Sequence, residues 1–150
     1  MCCRLNNPEA TVLQQALWKE DSRVRFYKSV SYNDDSSIFE PGKYDSIREI
    51  PVVTLETFAA EHGCIGGIKI LKVETEGAEP EVLEGAERIL DRIEYVAADL
   101  GPERGPKQEA TLPAVVDFLY ARGFKLIQGN GHGRGNFLFR NTRIAGGEFP

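Results

Sequence analysis

Residues 68–90, IKILKVETEGAEPEVLEGAERIL, constrain the fold more than any other stretch: an apolar run of strand length passes through a glycine-containing turn into an amphipathic helix. Isoleucine, leucine and valine occupy both faces of IKILKVE (68–74), with only Lys69 and Lys72 interrupting, as in a central strand of a parallel sheet covered by helices on both sides. The helix starts at or near Pro80, whose fixed φ and missing donor suit a first turn. Val82, Leu83, Ala86, Ile89 and Leu90 recur at helical spacing and are predicted to face the sheet, leaving Glu81, Glu84, Arg88 and Asp91 to water. Glu84 and Arg88 stand four apart in the order that favours an ion pair. Gly85, which costs about 1 kcal/mol relative to alanine in a helix interior, predicts a close approach to the sheet.

The rest of the chain repeats this alternation of short apolar runs and helical patterns, which predicts one α/β domain over residues 1–150 with a mostly parallel sheet. TVLQQALW (11–18) is expected as a short buried strand and RVRFYKSV (23–30), which alternates, as an edge or hairpin strand. Residues 31–46, rich in Ser, Asn, Asp, Pro and Gly, form either a mobile insertion or a binding loop. IPVV (50–53) is extended, Thr54 caps a helix over 55–62, and Gly63 ends it. IEYVAADL (93–100) is a second doubly covered strand, Thr111 caps a helix over 112–122, and Gly123 ends that one. FKLIQ (124–128) and NFLFRN (136–141), joined by GNGHGRG, close the chain as an antiparallel hairpin.

Composition removes several function classes. With 41% hydrophobic and 27% charged residues the chain belongs with soluble globular domains, and no apolar run approaches the roughly 20 residues of a membrane helix. MCCRLNNPEA lacks the apolar core of a secretion signal, so a cytoplasmic protein is expected. A net charge of -5 without a basic stripe argues against nucleic acid. Cys2, Cys3 and Cys64 are odd in number and sit in no ligand motif, so reduced thiols are expected, and His62 and His132 lack the partners of a metal site.

The glutamates of VETEGAE divide into two groups. Glu81, Glu84 and Glu87 lie on the helix. Glu74, Glu76 and Glu79 fall at the carboxyl end of a strand, where open α/β sheets bind ligands. Two readings stand for them: functional carboxylates, or side chains that only complement the helix dipole and cap backbone.

These residues resemble a family. ILKVETEGAEPEVLEGA (70–86) is similar to the signature of FkbM-type S-adenosylmethionine-dependent methyltransferases, in which a strand ending in an acid is followed by EGAE and a helix with VLEGA. Gln15-Ala16-Leu17, RVRFY, Ser36-Ser37, PVVTLETF (51–58), AADLGPERG (97–105), the later RGF and the terminal NFLFRN follow in the family's order, so the resemblance covers about residues 10–142. The acid matching Glu74 is commonly Asp in the family. The resemblance implies a Rossmann-like class I sheet of order 3-2-1-4-5-7-6 and S-adenosylmethionine as cofactor. Gln15 and Ala16 would lie near the adenine and Glu74 and Glu76 near the reacting groups, with Glu76 orienting or deprotonating the acceptor. Asp99, Arg104 and His132 are expected on the acceptor side, although Arg104 is also explained as a solvated loop charge. No metal is implied.

The glycine-rich turn after the family's first strand and the acid ending its second are not in this sequence, so the chain is expected to be the carboxyl-terminal part of the domain, lacking the first βαβ units. Two functions follow: O-methylation of a hydroxyl on a sugar, glycan or secondary metabolite, or a non-catalytic remnant that binds a partner. A bare edge on IKILKVE is further expected to draw a second copy, most simply as a homodimer.

Overall fold

The computed structural model describes residues 10–29, 36–64, 66–132 and 134–144. They form a mixed α/β structure with two principal sheets. The first contains β1 (Ala16–Leu17), β2 (Ser22–Lys28) and β3 (Ser46–Val53) in the order β1-β3-β2. The second contains β4 (Ile68–Val73), β5 (Ile93–Leu100), β8 (Phe124–His132) and β9 (Arg134–Asn141) in the order β4-β5-β9-β8, and a short ribbon pairs β6 (Pro102–Arg104) with β7 (Glu109–Ala110).

The apolar positions that follow β4 find a cover. β4 and β5 run parallel, joined by α2 (Glu79–Glu84) and a 3-10 helix (Glu87–Arg92), while β9 returns antiparallel beside β5. Val82, Leu83, Ala86, Ile89 and Leu90 are all buried in one core with Val96, Leu100 and Phe139 of the sheet and Val115 and Leu119 of α3 (Leu112–Ala121). Asn141, also buried, donates to the carbonyls of Leu90 and Ile93 and ties the last strand to the 3-10 helix.

α1 (Leu55–Glu61) begins as its sequence predicts: Thr54 Oγ1 accepts from Thr57 N at 3.0 Å. Asp21 reinforces that start by accepting from Thr54 N and the Thr57 hydroxyl, and these bonds lower its pKa. Thr111 differs: its backbone is helical and its buried hydroxyl makes no cap bond, so Pro113 in the first turn is what marks the start of α3.

Several expectations need correction. In place of one mostly parallel sheet there are two principal sheets, in which only β1-β3 and β4-β5 pair parallel while β2-β3, β5-β9 and β8-β9 are antiparallel. The central strand is β5, buried along nearly its whole length, whereas β4 lies at the sheet edge with Ile70 53% exposed. Apolar residues on both faces of IKILKVE therefore do not mark a strand covered on both sides. TVLQQALW is strand only at Ala16–Leu17, with Val12 and Leu13 exposed, and it pairs with β3 in the other sheet. Residues 46–49 belong to β3 because they pair with the outer half of β2.

The candidate binding loop is described only from residue 36 onward; residues 31–35 lie outside. The GNGHGRG connection is mostly strand, since β8 and β9 stay paired as far as His132 and Arg134. Glu84 and Arg88 form no ion pair because α2 ends at Gly85 and breaks the four-residue stagger; Arg88 meets Glu56 instead. Cys64 is a free, exposed cysteine, and Cys2 and Cys3 lie outside the described residues.

Candidate active site

The site is built around the turn between β4 and α2. The side chain of Glu79 is fully buried, and its Oε1 accepts from Thr75 N at 2.9 Å, Thr75 Oγ1 at 3.0 Å and Gly77 N at 3.2 Å. Those bonds curl the chain so that Glu76 sits at φ 51° and Gly77 at φ 99°. A left-handed glutamate is held only where its surroundings over-determine it, and Glu76 O accepts from the buried Ser37 hydroxyl at 2.9 Å. A Cβ on Gly77 would stand 2.8 Å from Arg104 Cα, so the turn and the segment after β5 meet backbone to backbone.

Across the turn, a column of side chains joins the two sheets. The Trp18 and Phe39 rings lie 6.2 Å apart, the Arg104 guanidinium stacks 4.0 Å over Phe39, and Arg104 grips both oxygens of Glu81 at 2.9 and 2.5 Å. Arg104 is thus a half-buried structural cation rather than a solvated loop charge, and Glu81 is buried against it rather than facing water. Gly85 does mark a close approach, but to the chain leaving β1: a Cβ there would stand 2.0 Å from the Trp18 carbonyl oxygen.

Two cavities flank the turn, and Glu76 and Ser37 line both. The first is a crevice of about 400 Å³ between the sheets, walled by Ala16, Leu17, Ile38, Ile50, Val52 and Val73, with Gln15, Glu74 and Glu76 at its polar margin. It brings together four predicted residues from distant parts of the chain: Gln15, Ala16, Glu74 and Glu76. Gln15 is exposed, and its amide also meets Glu61 and His62 at the end of α1. Glu74 pairs with Lys72, whose hydrogen bond and charge lower its pKa against a small opposing effect of burial.

The second cavity, of about 450 Å³, is lined by Ser29, Ser37, Lys43, Gln108, Arg134 and two glutamates, Glu76 and Glu103, among others. Arg134 reaches three carboxylates: Glu103 at 2.6 Å, Asp99 at 3.3 Å and Glu76 at 3.7 Å. The Glu103 side chain is 12% exposed. Its Oε1 is buried and makes no hydrogen bond, because Arg134 approaches it closely but out of line. Burial, followed by the charge of Glu76, pushes the Glu103 pKa up to about 7 in spite of Arg134.

Asp99 faces Arg134 from β5 but does not line this cavity. His132 is the last residue of β8, with its side chain outside the described part. Sequence reasoning missed Glu103 and Arg134. The rule that singled out Glu76, an acid just past a strand's carboxyl end, applies equally to Glu103 in LGPERG. Arg134 becomes visible only once β9 is registered against β5.

Residues 1–126 match the methyltransferase FkbM domain, and the chain belongs to that family. Gln15, Ala16, Glu74, Glu76, Asp99, Glu103 and Arg104 fall within the match, and Arg134 lies beyond it. No curated protein and no solved structure is detectably similar to the chain. Among the described residues no cluster of His, Cys, Asp and Glu could hold a metal ion, and no helix is long and apolar enough to cross a membrane.

Proposed function

We propose that this chain serves S-adenosylmethionine-dependent O-methylation of a hydroxyl on a sugar, glycan or secondary metabolite. The observation that carries the reading is the crevice, in which an apolar wall and two carboxylates adjoin the amide of Gln15. Its donor set fits the cofactor's purine and sulfonium ends: Ala16, Leu17, Ile50 and Val52 would cover the ring, Gln15 its edge, and Glu74 and Glu76 the positive charge. When bound, the cofactor supplies an activated methyl group. The chain's own work is to align the acceptor and accept its proton, and Glu76, held rigidly between both cavities, orients the acceptor oxygen. The strand order β4-β5-β9-β8 supports a Rossmann-like class I sheet, since it follows the 4-5-7-6 half of the family order.

Calorimetry with S-adenosylmethionine tests this. Saturable binding is expected, and it should be lost in Ala16→Trp, whose side chain would fill the crevice. Absence of binding to the unsubstituted protein would overturn the function, and unaltered binding by the variant would overturn the placement.

A second reading, a self-associating or partner-binding domain, draws on the edge position of β4 and the exposure of Ile70. A two-fold homodimer through that edge predicts more than a monomer by light scattering at micromolar protein, and a well-folded monomer would exclude it.

A further inference from the structure

Resting on the methyltransferase reading, we propose that the polar cavity receives a polyhydroxylated acceptor and that Glu103 takes the proton from the hydroxyl that is methylated. The cavity is the right size for a small molecule, and Glu76 and Ser37 line both it and the crevice, so an acceptor seated in one would lie on the other side of Glu76 from a donor seated in the other. Its lining offers both hydrogen-bond senses close together: Lys43 and Arg134 donate, Glu76 and Glu103 accept, and Ser29 and Ser37 do either. Sugar hydroxyls donate and accept in the same way, whereas an apolar acceptor would desolvate these groups without replacing their bonds.

Among the carboxylates near Arg134, Glu103 is the one fitted to act as base. Asp99 does not line the cavity, and Glu76 is more open to water at 27% exposure. Glu103 lines the cavity, and Arg134 Nη1, 2.6 Å from its buried Oε1, holds the carboxyl at the wall, so an acceptor hydroxyl would meet the carboxyl's other oxygen. Its pKa of about 7 supports the role: burial and the charges of Glu76 and, more weakly, Glu79 and Asp99 raise it, and Arg134 on β9 holds it down. The proton passes to the Glu103 carboxylate as the oxygen's electron pair forms the new O–C bond. The S–C bond breaks with its pair on sulfur, which leaves neutral as a thioether.

The test uses protein carrying 13C-carboxyl glutamate, S-adenosylhomocysteine and a panel of methyl pyranosides. The carboxyl resonance missing in Glu103→Gln should titrate with a midpoint near 7 and move as a pyranoside is added. With radiolabelled S-adenosylmethionine, Glu103→Gln should lower kcat/KM for that pyranoside by about 100-fold or more and abolish the rise in rate near pH 7, while Glu103→Asp retains part of both. S-adenosylhomocysteine binding should be the same in all three proteins, which separates the effect from misfolding. A Glu103 signal indifferent to every pyranoside, or Glu103→Gln turning over at the wild-type rate, overturns the inference. Pyranosides that move the Glu103 signal of a protein unable to bind S-adenosylhomocysteine would uphold the cavity and sink the methyltransferase reading instead.

Discussion

The segments that follow the parallel strands β4 and β5 each carry acids past a strand's carboxyl end, yet they are built in opposite ways. After β4, the carboxylates are spent on the chain itself: Glu79 holds three donors of its own turn, and Glu74 pairs with Lys72 two residues away. After β5, Glu103 is buried without a directed hydrogen bond, beside an arginine that it shares with Asp99 and Glu76. One segment uses negative charge to fix a backbone shape; the other holds it where it is poorly satisfied. Each glutamate keeps one buried oxygen without a directed hydrogen bond, Glu79 Oε2 and Glu103 Oε1. They differ in that Glu79 Oε1 takes three donors of its own turn, whereas Glu103 lines a cavity with a raised pKa, the setting in which functional carboxyls concentrate. The comparison teaches that strand-end position alone does not tell the two apart.

The most direct way to break this comparison is to remove the scaffold acid. Glu79→Ala strips the acceptor from three donors in a fully buried place, and an unsatisfied buried group costs about 1–3 kcal/mol. A loss of roughly 3 kcal/mol or more is expected, lowering Tm by about 6–12 °C. Glu79→Gln, which keeps one acceptor oxygen, should lose less than half as much. Equal losses in the two variants would mean that the negative charge, rather than the acceptor oxygen or the volume of the side chain, holds the turn.

Arg104 comes next in size, because it ties the two segments together. It binds both oxygens of Glu81, which is buried, and stacks on Phe39. Arg104→Ala leaves a buried carboxylate without its cation, at about 2 kcal/mol by denaturant unfolding. Arg104→Lys, unable to form the two-pronged pair or to stack flat, should recover no more than about half. Full recovery with lysine would reduce the column from Trp18 to Glu81 to a simple point charge.

The strand-helix unit around EGAE and the cap at Thr54 could be read from local patterns, because their causes are local: Pro80 in a first turn, apolar residues at helical spacing, and a hydroxyl three residues before the amide it caps. What escaped were long-range effects. β4 has the composition of a central strand, and only the sheet order reveals its open edge. Glu81 occupies a polar helix position but is buried by Arg104, 23 residues later. Arg134 stands in a glycine-rich stretch that resembles a loop, and it reaches Asp99 and Glu76 because β9 returns along β5. Register, rather than composition, assembled the polar cavity.

Glu103 should answer with the opposite sign. Its folded pKa lies above the unfolded value of 4.5, so the native state binds the proton more tightly and this group's contribution to stability falls as pH rises from about 4.5 to about 7. Glu103→Gln removes a charge that the fold disfavours. At pH 8 the variant should melt about 2–4 °C higher, which is what roughly 1 kcal/mol brings in a chain of this size after discounting for screening by solvent. At pH 4 the two proteins should melt together. A variant less stable at pH 8 would place Glu103 with Glu79 among the scaffold acids and erase the contrast between the segments.

The smallest effect expected is at Glu74, which tests whether any acid after β4 has work beyond shape. Its pair with Lys72 is exposed, with the Glu74 side chain 44% accessible, and exposed pairs contribute about 0–1 kcal/mol. The hydrogen bond and charge of Lys72 hold the Glu74 pKa below 4.5, so this contribution is present above that value and is lost as pH falls through the lower folded pKa. Glu74→Gln should therefore shift Tm at pH 7 by about 2 °C or less. Binding should change more selectively than folding. S-adenosylmethionine carries a positive sulfonium and S-adenosylhomocysteine a neutral thioether, while the rest of the two molecules is alike. If Glu74 faces that charge in the crevice, its neutralisation weakens the first ligand by about 3- to 5-fold, corresponding to roughly 0.7–1 kcal/mol for a solvent-screened charge, and leaves the second unchanged. Calorimetry with both ligands on both proteins isolates the charge term, since any general damage to the crevice would weaken the two alike. Equal weakening, or none, would return Glu74 to its pairing with Lys72 and leave Glu76 as the acid of this segment that faces the reacting groups.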